Sequence, residues 1–374
     1  MPTRRDFLSA AAATATASTF PSFVKGESVR EPLQKRPVGG ALPMNEPSDE
    51  EHYRPRYRFG LGGVAIGTAF ATLTARQSDE VMRGAWAAGV RYFDTAPWYG
   101  LGLSERRMGH FLADQPREQY VISTKVGRVL TPTEEIPETM WKAPSPFDFE
   151  YDYTADGTRR SIEQSLHRLG MSHIDIVFIH DLAADHLGEA WKGQFEVAAR
   201  GAIPALTQMR DEGMIRAWGL GVNNVEPCLR ALQESDPDLF LLATQYSIVD
   251  HESPLEELFP RCEERGVTIV AGAPLNSGYL AGKERYNYRP HVPEEIRRKG
   301  ERIAQVAAEY GSDLRTAALQ FCNAPSVVSS VIPGASSDKQ VIENALSMAT
   351  TLPDELWTSL KREGLIAENA PTPN

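Results

Sequence analysis

The sequence predicts an α/β protein built as a single (β/α)8 TIM barrel, and three observations predict it. From Tyr57 to about Asn344, eight short apolar runs alternate with eight amphipathic stretches, as parallel strands alternate with crossover helices. The competing doubly wound open sheet usually carries a Gly-x-Gly-x-x-Gly turn after its first strand; the nearest match here, Gly60-Leu-Gly-Gly-Val-Ala-Ile-Gly67, has the wrong glycine spacing. Asp94, Tyr99, Lys125 and His180, of the types a proton relay needs, fall at or just after the ends of three runs. In a barrel those ends share the face that holds the active site.

The elements follow in chain order. The first strand is expected near Leu61–Gly67 and its amphipathic helix near Ser78–Ala88. Arg91–Asp94 and Tyr120–Lys125, rich in aromatic and β-branched residues, are the second and third strands, followed by helices near Ser104–Leu112 and Thr158–Leu169. Ile174–His180 and Ile215–Val222 come next, with helices near Ile203–Glu212 and Pro227–Glu234. Phe240–Gln245, Thr268–Ala273 and Val327–Pro333 complete the strands; Pro254–Arg265, Arg297–Tyr310 and Asp338–Ala349 complete the helices. Between the third strand and its helix, Gly127 to Tyr153 reads as a long loop carrying Trp141, Phe147, Phe149, Tyr151 and Tyr153 among prolines. Structureless stretches of that length in compact domains are usually functional. With Trp98 as a substrate contact and Tyr279 after the seventh strand, this loop would offer aromatic faces to a sugar or a flat ring.

The barrel occupies residues 58–366 and leaves no second domain, with 367–374 as a tail. Ahead of it, Thr3-Arg4-Arg5-Asp6-Phe7-Leu8 and the Ala/Thr stretch after it form a twin-arginine export signal over residues 1–25, with a cleavage site near Ala17. Residues 26–57, without periodicity, read as an arm or linker. The expected location is periplasmic or exported, through the twin-arginine machinery, and cytoplasmic if the signal is not used. A net charge of −11 argues against a nucleic-acid-binding surface, and no apolar run is long enough to span a membrane. Cys228, Cys262 and Cys322 lack metal-ligand spacing and read as buried thiols, although Cys228 and Cys262 lie on consecutive helices.

A phenol with a pKa of roughly 10 is a poor acid and a worse base at neutral pH. Lys125 is expected to lower the pKa of Tyr99 by Coulomb attraction, with Asp94 holding the ammonium in place. A ring N–H of His180 would fix a substrate oxygen. No Ser sits in Gly-x-Ser-x-Gly and no His-x-x-x-His pair exists. The set therefore suits proton transfer at a carbonyl or alcohol oxygen, and a cofactor must take the hydride.

Five segments carry a resemblance to a known family: Gly89-Val-Arg-Tyr-Phe-Asp-Thr-Ala-Pro-Trp-Tyr-Gly100, Ser123-Thr-Lys-Val126, Ile174-Asp-Ile-Val-Phe-Ile-His-Asp181, Gly219-Leu-Gly-Val-Asn-Asn224 and Val331-Ile-Pro-Gly334. In order and spacing they resemble the motifs of the aldo-keto reductases. Tyr99-Gly-Leu-Gly-Leu-Ser-Glu-Arg-Arg-Met-Gly109, Lys125-Val-Gly-Arg-Val-Leu130 and Asn276-Ser-Gly-Tyr-Leu280 are most similar to the branch of D-threo-aldose 1-dehydrogenase, L-fucose dehydrogenase and pyridoxal 4-dehydrogenase. The resemblance implies that Asp94, Tyr99, Lys125 and His180 form the catalytic tetrad. It places Asn223, Asn224 and Gln245 at a nicotinamide carboxamide, and Pro274, Leu275, Gly278, Gly334, Gln340, Glu343 and Asn344 along the rest of a dinucleotide. Gly272 stands where many members stack an aromatic on the nicotinamide. Gly334 and Gln340 stand where NADP-preferring members supply cations, which favours NAD, with NADP as the alternative and Lys339 as partial compensation.

The implied activity is NAD(P)-dependent oxidation of an aldose hemiacetal or related alcohol to a lactone, or the reverse carbonyl reduction, with Tyr99 as general acid/base. Export would require the cofactor to travel tightly bound and be recycled in place. A non-catalytic barrel that senses a sugar or a nicotinamide is the alternative, but it has no need of a Tyr–Lys–Asp relay.

Overall fold

The computed structural model describes residues 41–46 and 52–373. The expected export signal at 1–25 and arm residues 26–40 and 47–51 lie outside the described residues. The strands are β1 (Leu61–Gly62), β2 (Tyr92–Asp94), β3 (Val121–Val126), β4 (Arg128–Pro132), β5 (Phe147–Tyr151), β6 (Ile176–His180), β7 (Ala217–Val222), β8 (Leu239–Ala243), β9 (Thr268–Gly272) and β10 (Val328–Ile332). All but β4 and β5 pair in parallel in chain order. Bridges from Phe59 to Val331 and from Gly62 to Gly334 join the edges of this eight-stranded sheet into a barrel. Each of the eight predicted strands overlaps one barrel strand. The first is much shorter than expected, because the chain turns after Gly62, with Gly67 N–H donating to the Gly63 carbonyl at 3.0 Å.

The helices are α1 (Ala75–Ala87), α2 (Leu103–Leu112), α3 (Ala155–Leu169), α4 (Ala184–Leu187), α5 (Trp191–Arg200), α6 (Ala202–Asp211), α7 (Val225–Glu234), α8 (Phe259–Glu264), α9 (Glu294–Glu309), α10 (Leu314–Asn323), α11 (Asp338–Ala349) and α12 (Asp354–Arg362). The sequence reading missed α4, α5, α10 and α12. The α5 signal was present, since Trp191, Phe195 and Ala198 are buried at spacings of four and three. In α10 every residue from Thr316 to Cys322 is buried, so no amphipathic stripe marks it.

Three expectations need correction. The stretch from Gly127 to Tyr153 is not structureless: β4 and β5 pair antiparallel, Arg128 opposite Tyr151 and Pro132 opposite Phe147. The arm, where described, is docked. Asn45 donates through Nδ2 to the Pro55 and Ser329 carbonyls at 2.6 and 2.9 Å, Met44 bridges Tyr57, and His52 Nε2 lies 3.0 Å from Asp236. Nor is the end of the chain free: Ala370 is buried, and Ala367 N–H donates to His251 Nε2 at 3.1 Å.

Strand alternation explains where the core and the site lie. Side chains two apart share a face, and one buried cluster takes Tyr92 of β2, Val121 of β3, Ile176 and Phe178 of β6, Leu239 and Leu241 of β8 and Val270 of β9. These inward stripes are apolar low in the barrel. Two or four residues further along the same stripes stand Asp94, Lys125 and His180.

Helix α2 packs on α3 through Gly109, where an added Cβ would lie 2.2 Å from the Leu169 carbonyl oxygen. Gly193 in α5 has nothing within 4 Å of such an atom. Gly109→Ala should therefore lower stability by about 2 kcal/mol or more through overpacking, and Gly193→Ala should raise it by about 0.5–1 kcal/mol through helix propensity. Urea unfolding midpoints check the pair; equal midpoints would contradict the packing described.

Candidate active site

Three strand ends and one loop build the site. Asp94 closes β2, Lys125 lies one residue from the end of β3 and His180 closes β6. Tyr99 lies in the loop between β2 and α2, held by a close approach: a Cβ on Gly67 would sit 2.6 Å from the Tyr99 carbonyl carbon. The next three residues, Gly100, Leu101 and Gly102, all have positive φ (67°, 53° and 84°), and this tight turn leads the chain straight into α2.

The Lys125 ammonium has three protons and three acceptors, Asp94 Oδ1 at 2.9 Å, Asp94 Oδ2 at 2.8 Å and the Thr95 carbonyl at 2.8 Å. Ser123 Oγ also donates to Asp94 Oδ1, at 2.7 Å. Burial pushes the Asp94 carboxyl up from its ordinary range and the Lys125 ammonium down, against their mutual attraction. Lys125 lies 4.6 Å from the centre of the Tyr99 ring.

The expectation that Lys125 lowers the Tyr99 pKa does not hold here. Burial, and then the Asp94 carboxylate, push the phenol well above its ordinary value. The Lys125 ammonium, for its part, directs its protons at Asp94 and Thr95. His180 stands edge-on to Tyr99, ring centres 5.8 Å apart, and burial with the Arg128 and Lys125 cations drives its pKa well below the usual range, so the ring is neutral.

Two cavities meet at Tyr99. One is lined by Gly62, Gly272, Pro274, Leu275, Gly278, Gly334, Gln340, Glu343 and Asn344; the other by Trp98, Lys125, His180, Asn223, Asn224 and Gln245. The sequence-derived cofactor residues thus lie along these walls. The Asn224 side chain does not cap α7, and its buried amide oxygen has no partner among the described residues. That is an acceptor suited to a carboxamide N–H, so the residues present fit a nicotinamide dinucleotide. Asn223 is engaged elsewhere, donating to Asp185 Oδ2 at 2.9 Å. Gln340 accepts from Ser336 N–H and Oγ at 2.8 and 3.1 Å, and Glu343 pairs with Arg315 at 2.8 Å and Lys339 at 3.8 Å.

Trp98 lines the second cavity but is also packed on Phe149 and Trp141, ring centres 4.7 and 5.6 Å away. Tyr279 lines neither cavity; its hydroxyl donates to the Ile296 and Arg297 carbonyls of α9. Sequence reasoning missed Arg128, Asp181, Asp185, His186 and Tyr288. Arg128 Nη1 lies 2.8 Å from Asp181 Oδ2, and His186 bridges Asp181 and Asp185 at 3.3 and 3.0 Å. Asp181 directly follows His180 with a left-handed φ of 50°, a signal only coordinates give. Among the described residues no group of His, Cys, Asp and Glu is placed to hold a metal, and no helix is long and apolar enough to cross a membrane. The three cysteines are free and buried.

Comparison with known proteins accords with this geometry. The model of the aldo/keto reductase family matches residues 58–363. The chain is 37% identical over 325 residues to the D-threo-aldose 1-dehydrogenase of a Pseudomonas species, covering 84% of this chain and 94% of that protein. It is 36% identical over 325 residues to the pyridoxal 4-dehydrogenase of Microbacterium luteolum, covering 82% and 94%. The holo form of an aldo-keto reductase from Bacillus halodurans superposes with a TM-score of 0.64 at 24% identity, over 87% of this chain and 97% of that one, a likeness of fold. The protein belongs to the aldo/keto reductase family and is an oxidoreductase.

Proposed function

We propose that the protein is an NAD-linked dehydrogenase that oxidises an aldose hemiacetal or a related alcohol to a lactone or carbonyl product, and reduces the carbonyl in reverse. The observation that carries this reading is the position of Tyr99 on the wall shared by both cavities, beside His180 and the Lys125–Asp94 pair. When bound, a nicotinamide dinucleotide supplies the hydride acceptor or donor. As the phenolate, Tyr99 takes the proton of the reacting alcohol; as the phenol, it gives its proton to the carbonyl oxygen in the reverse direction. His180, neutral, holds that oxygen by a hydrogen bond.

The lining of the second cavity supports this substrate class. Trp98, Trp141 and Met140 offer an apolar wall, and Asp181, Asp185 and His186 offer hydrogen-bonding groups. A sugar ring presents both kinds of surface, one face apolar and the rim hydroxylated. The names of the two similar dehydrogenases, for an aldose and for pyridoxal, support the same class.

Burial holds the Tyr99 phenol protonated, so the resting site is set as an acid for reduction, and oxidation requires loss of that proton. Oxidation of an aldose should gain kcat/KM as pH rises through the alkaline range, while reduction stays level across neutrality. Tyr99→Phe should lower turnover by about a thousandfold or more with cofactor affinity nearly unchanged. A pH-independent oxidation, or a fully active phenylalanine variant, would remove Tyr99 from the chemistry.

Preference for NAD over NADP rests on the far end of the first cavity. Gly334 and Gln340 bring no cation there, and Glu343 already pairs with Arg315 at 2.8 Å and more loosely with Lys339 at 3.8 Å. A 2′-phosphate would have to displace Glu343 from these cations. Glu343→Gln should raise the NADP to NAD ratio of kcat/KM by roughly tenfold, the effect of about 1.4 kcal/mol; an unchanged ratio would place selectivity elsewhere.

The Arg4-Arg5 pattern supports export of the folded, cofactor-loaded protein through the twin-arginine machinery. Cell fractionation should find the full chain in the periplasm and a chain lacking residues 1–25 in the cytoplasm. The full chain found in the cytoplasm, as the shortened one is, would make this a cytoplasmic enzyme.

A further inference from the structure

His180 Nδ1 lies 3.2 Å from Arg128 Nη1. A guanidinium is donor-only and keeps its protons at any accessible pH, so Nδ1 must be the acceptor. A neutral imidazole carries one proton, which leaves it on Nε2, the nitrogen 3.5 Å from Asp181 Oδ1. The tautomer is thus dictated by a partner that cannot reverse its role.

Arg128 itself is firmly held. Its side chain is only 2% exposed. Nη1 also reaches Asp181 Oδ2 at 2.8 Å, Nη2 donates to Tyr151 Oη at 2.9 Å, and the rings of Trp98 and Tyr151 are each 4.7 Å from the guanidinium carbon. Every one of these partners comes from the β4–β5 hairpin, the Tyr99 loop or the end of β6. The Tyr153 hydroxyl, just after β5, donates to the His180 carbonyl at 2.9 Å. The hairpin therefore grips both the backbone and the ring of His180.

Resting on the dehydrogenase reading above, we propose that Arg128 is a positioning residue for the reaction. It locks His180 as the neutral Nε2–H tautomer, so that one fixed donor faces the reacting oxygen and the imidazole does not gain a second proton in the working pH range. The groups facing the ring are Lys125 from β3, Arg128 from β4, Tyr99 and, through it, Asp94 from β2 and its loop, and Asp181 and His186 beyond β6. Arg128 and Lys125 oppose protonation. Asp181, which would favour it, is already paired with Arg128 at 2.8 Å and lies 3.3 Å from His186 Nε2. Removing the Arg128 charge leaves Asp181 free to stabilise an imidazolium, and the Nδ1 lone pair without its donor.

Nitrogen-15 NMR of the full chain labelled at histidine tests this, with the His180 signals assigned by their loss in His180→Asn. In the unsubstituted protein, Nδ1 should show as unprotonated, Nε2 as protonated, and neither should titrate between about pH 5 and 8, the range in which a free imidazole does. In Arg128→Gln, His180 should titrate within that window and populate both tautomers. Aldose oxidation should gain a new acid limb in its pH profile, and kcat should fall by roughly 10- to 100-fold, the usual cost of losing a partner that orients a reactive group. Arg128→Lys, which still donates to Nδ1, should restore the tautomer and part of kcat. A proton on Nδ1 in the unsubstituted protein overturns the proposal even if Arg128→Gln fails to fold. So does an Arg128→Gln protein whose His180 spectrum and pH profile are unchanged. The NMR measurement needs no turnover, so absence of any alcohol dehydrogenase activity would count against the functional reading and leave the tautomer to be judged by its own spectrum.

Discussion

The ion pair between Lys125 and Asp94 is the constraint on which the site depends. Both side chains are almost wholly buried, and each would cost several kcal/mol to desolvate alone. They are tolerated because adjacent strands deliver them at one level: Asp94 is in register with Ser123, and Lys125 stands two residues further along the same inward face. Once the pair forms, the ammonium is saturated by Asp94 and Thr95 and lies by the face of Tyr99. Replacing such a pair with well-packed apolar side chains is often neutral or stabilising, so its stability value alone does not account for it. Its geometry accords with the role proposed above, holding the buried Tyr99 ring in place beside the ammonium.

Much of this was written in the sequence, because strand alternation and strand ends are local properties. Tyr92 and Asp94, Val121 and Lys125, Ile176 and His180 share faces by parity alone, and a parallel barrel gathers their ends. Tyr99 was readable through its turn, where Gly100 and Gly102 allow the positive φ required. The hairpin was not. Phe147, Phe149 and Tyr151 do alternate, but their partners lie some twenty residues earlier across a proline-rich stretch, and no local signal gives that pairing. The docked arm was missed for another reason: Asn45 and Arg58 hold it largely through bonds to backbone and side-chain oxygens, without an apolar stripe. The direction of the Tyr99 shift depends on how deeply the folded chain buries the phenol and on Asp94 beside it, which no spacing encodes.

The hairpin changes how the aromatic residues around Tyr99 are understood. Trp98 is at once a cavity wall and a cover for the Arg128 guanidinium. Trp141 packs against both Trp98 and Tyr99. A substrate that enters this cavity therefore meets side chains already fixed by contacts among themselves, a preorganised surface that loses little rotamer freedom on binding. The aromatic wall of the second cavity and the ring of His180 are linked through one antiparallel ribbon.

The docking of Ala367 on His251 has a different reach. His251 is wholly buried, with Nδ1 3.0 Å from the Ser247 carbonyl, and Nε2 must stay unprotonated to accept the Ala367 N–H. Burial lowers its pKa in the folded chain, so the unfolded chain binds the proton more readily. The stability this contact contributes is present above the unfolded histidine pKa of roughly 6.5 and fades as the medium acidifies through the folded value. Acid would then loosen the carboxy-terminal segment from the outer layer while the inner strands remain paired, which makes that latch, far along the chain from the chemistry, a natural place for acid-induced unravelling to begin.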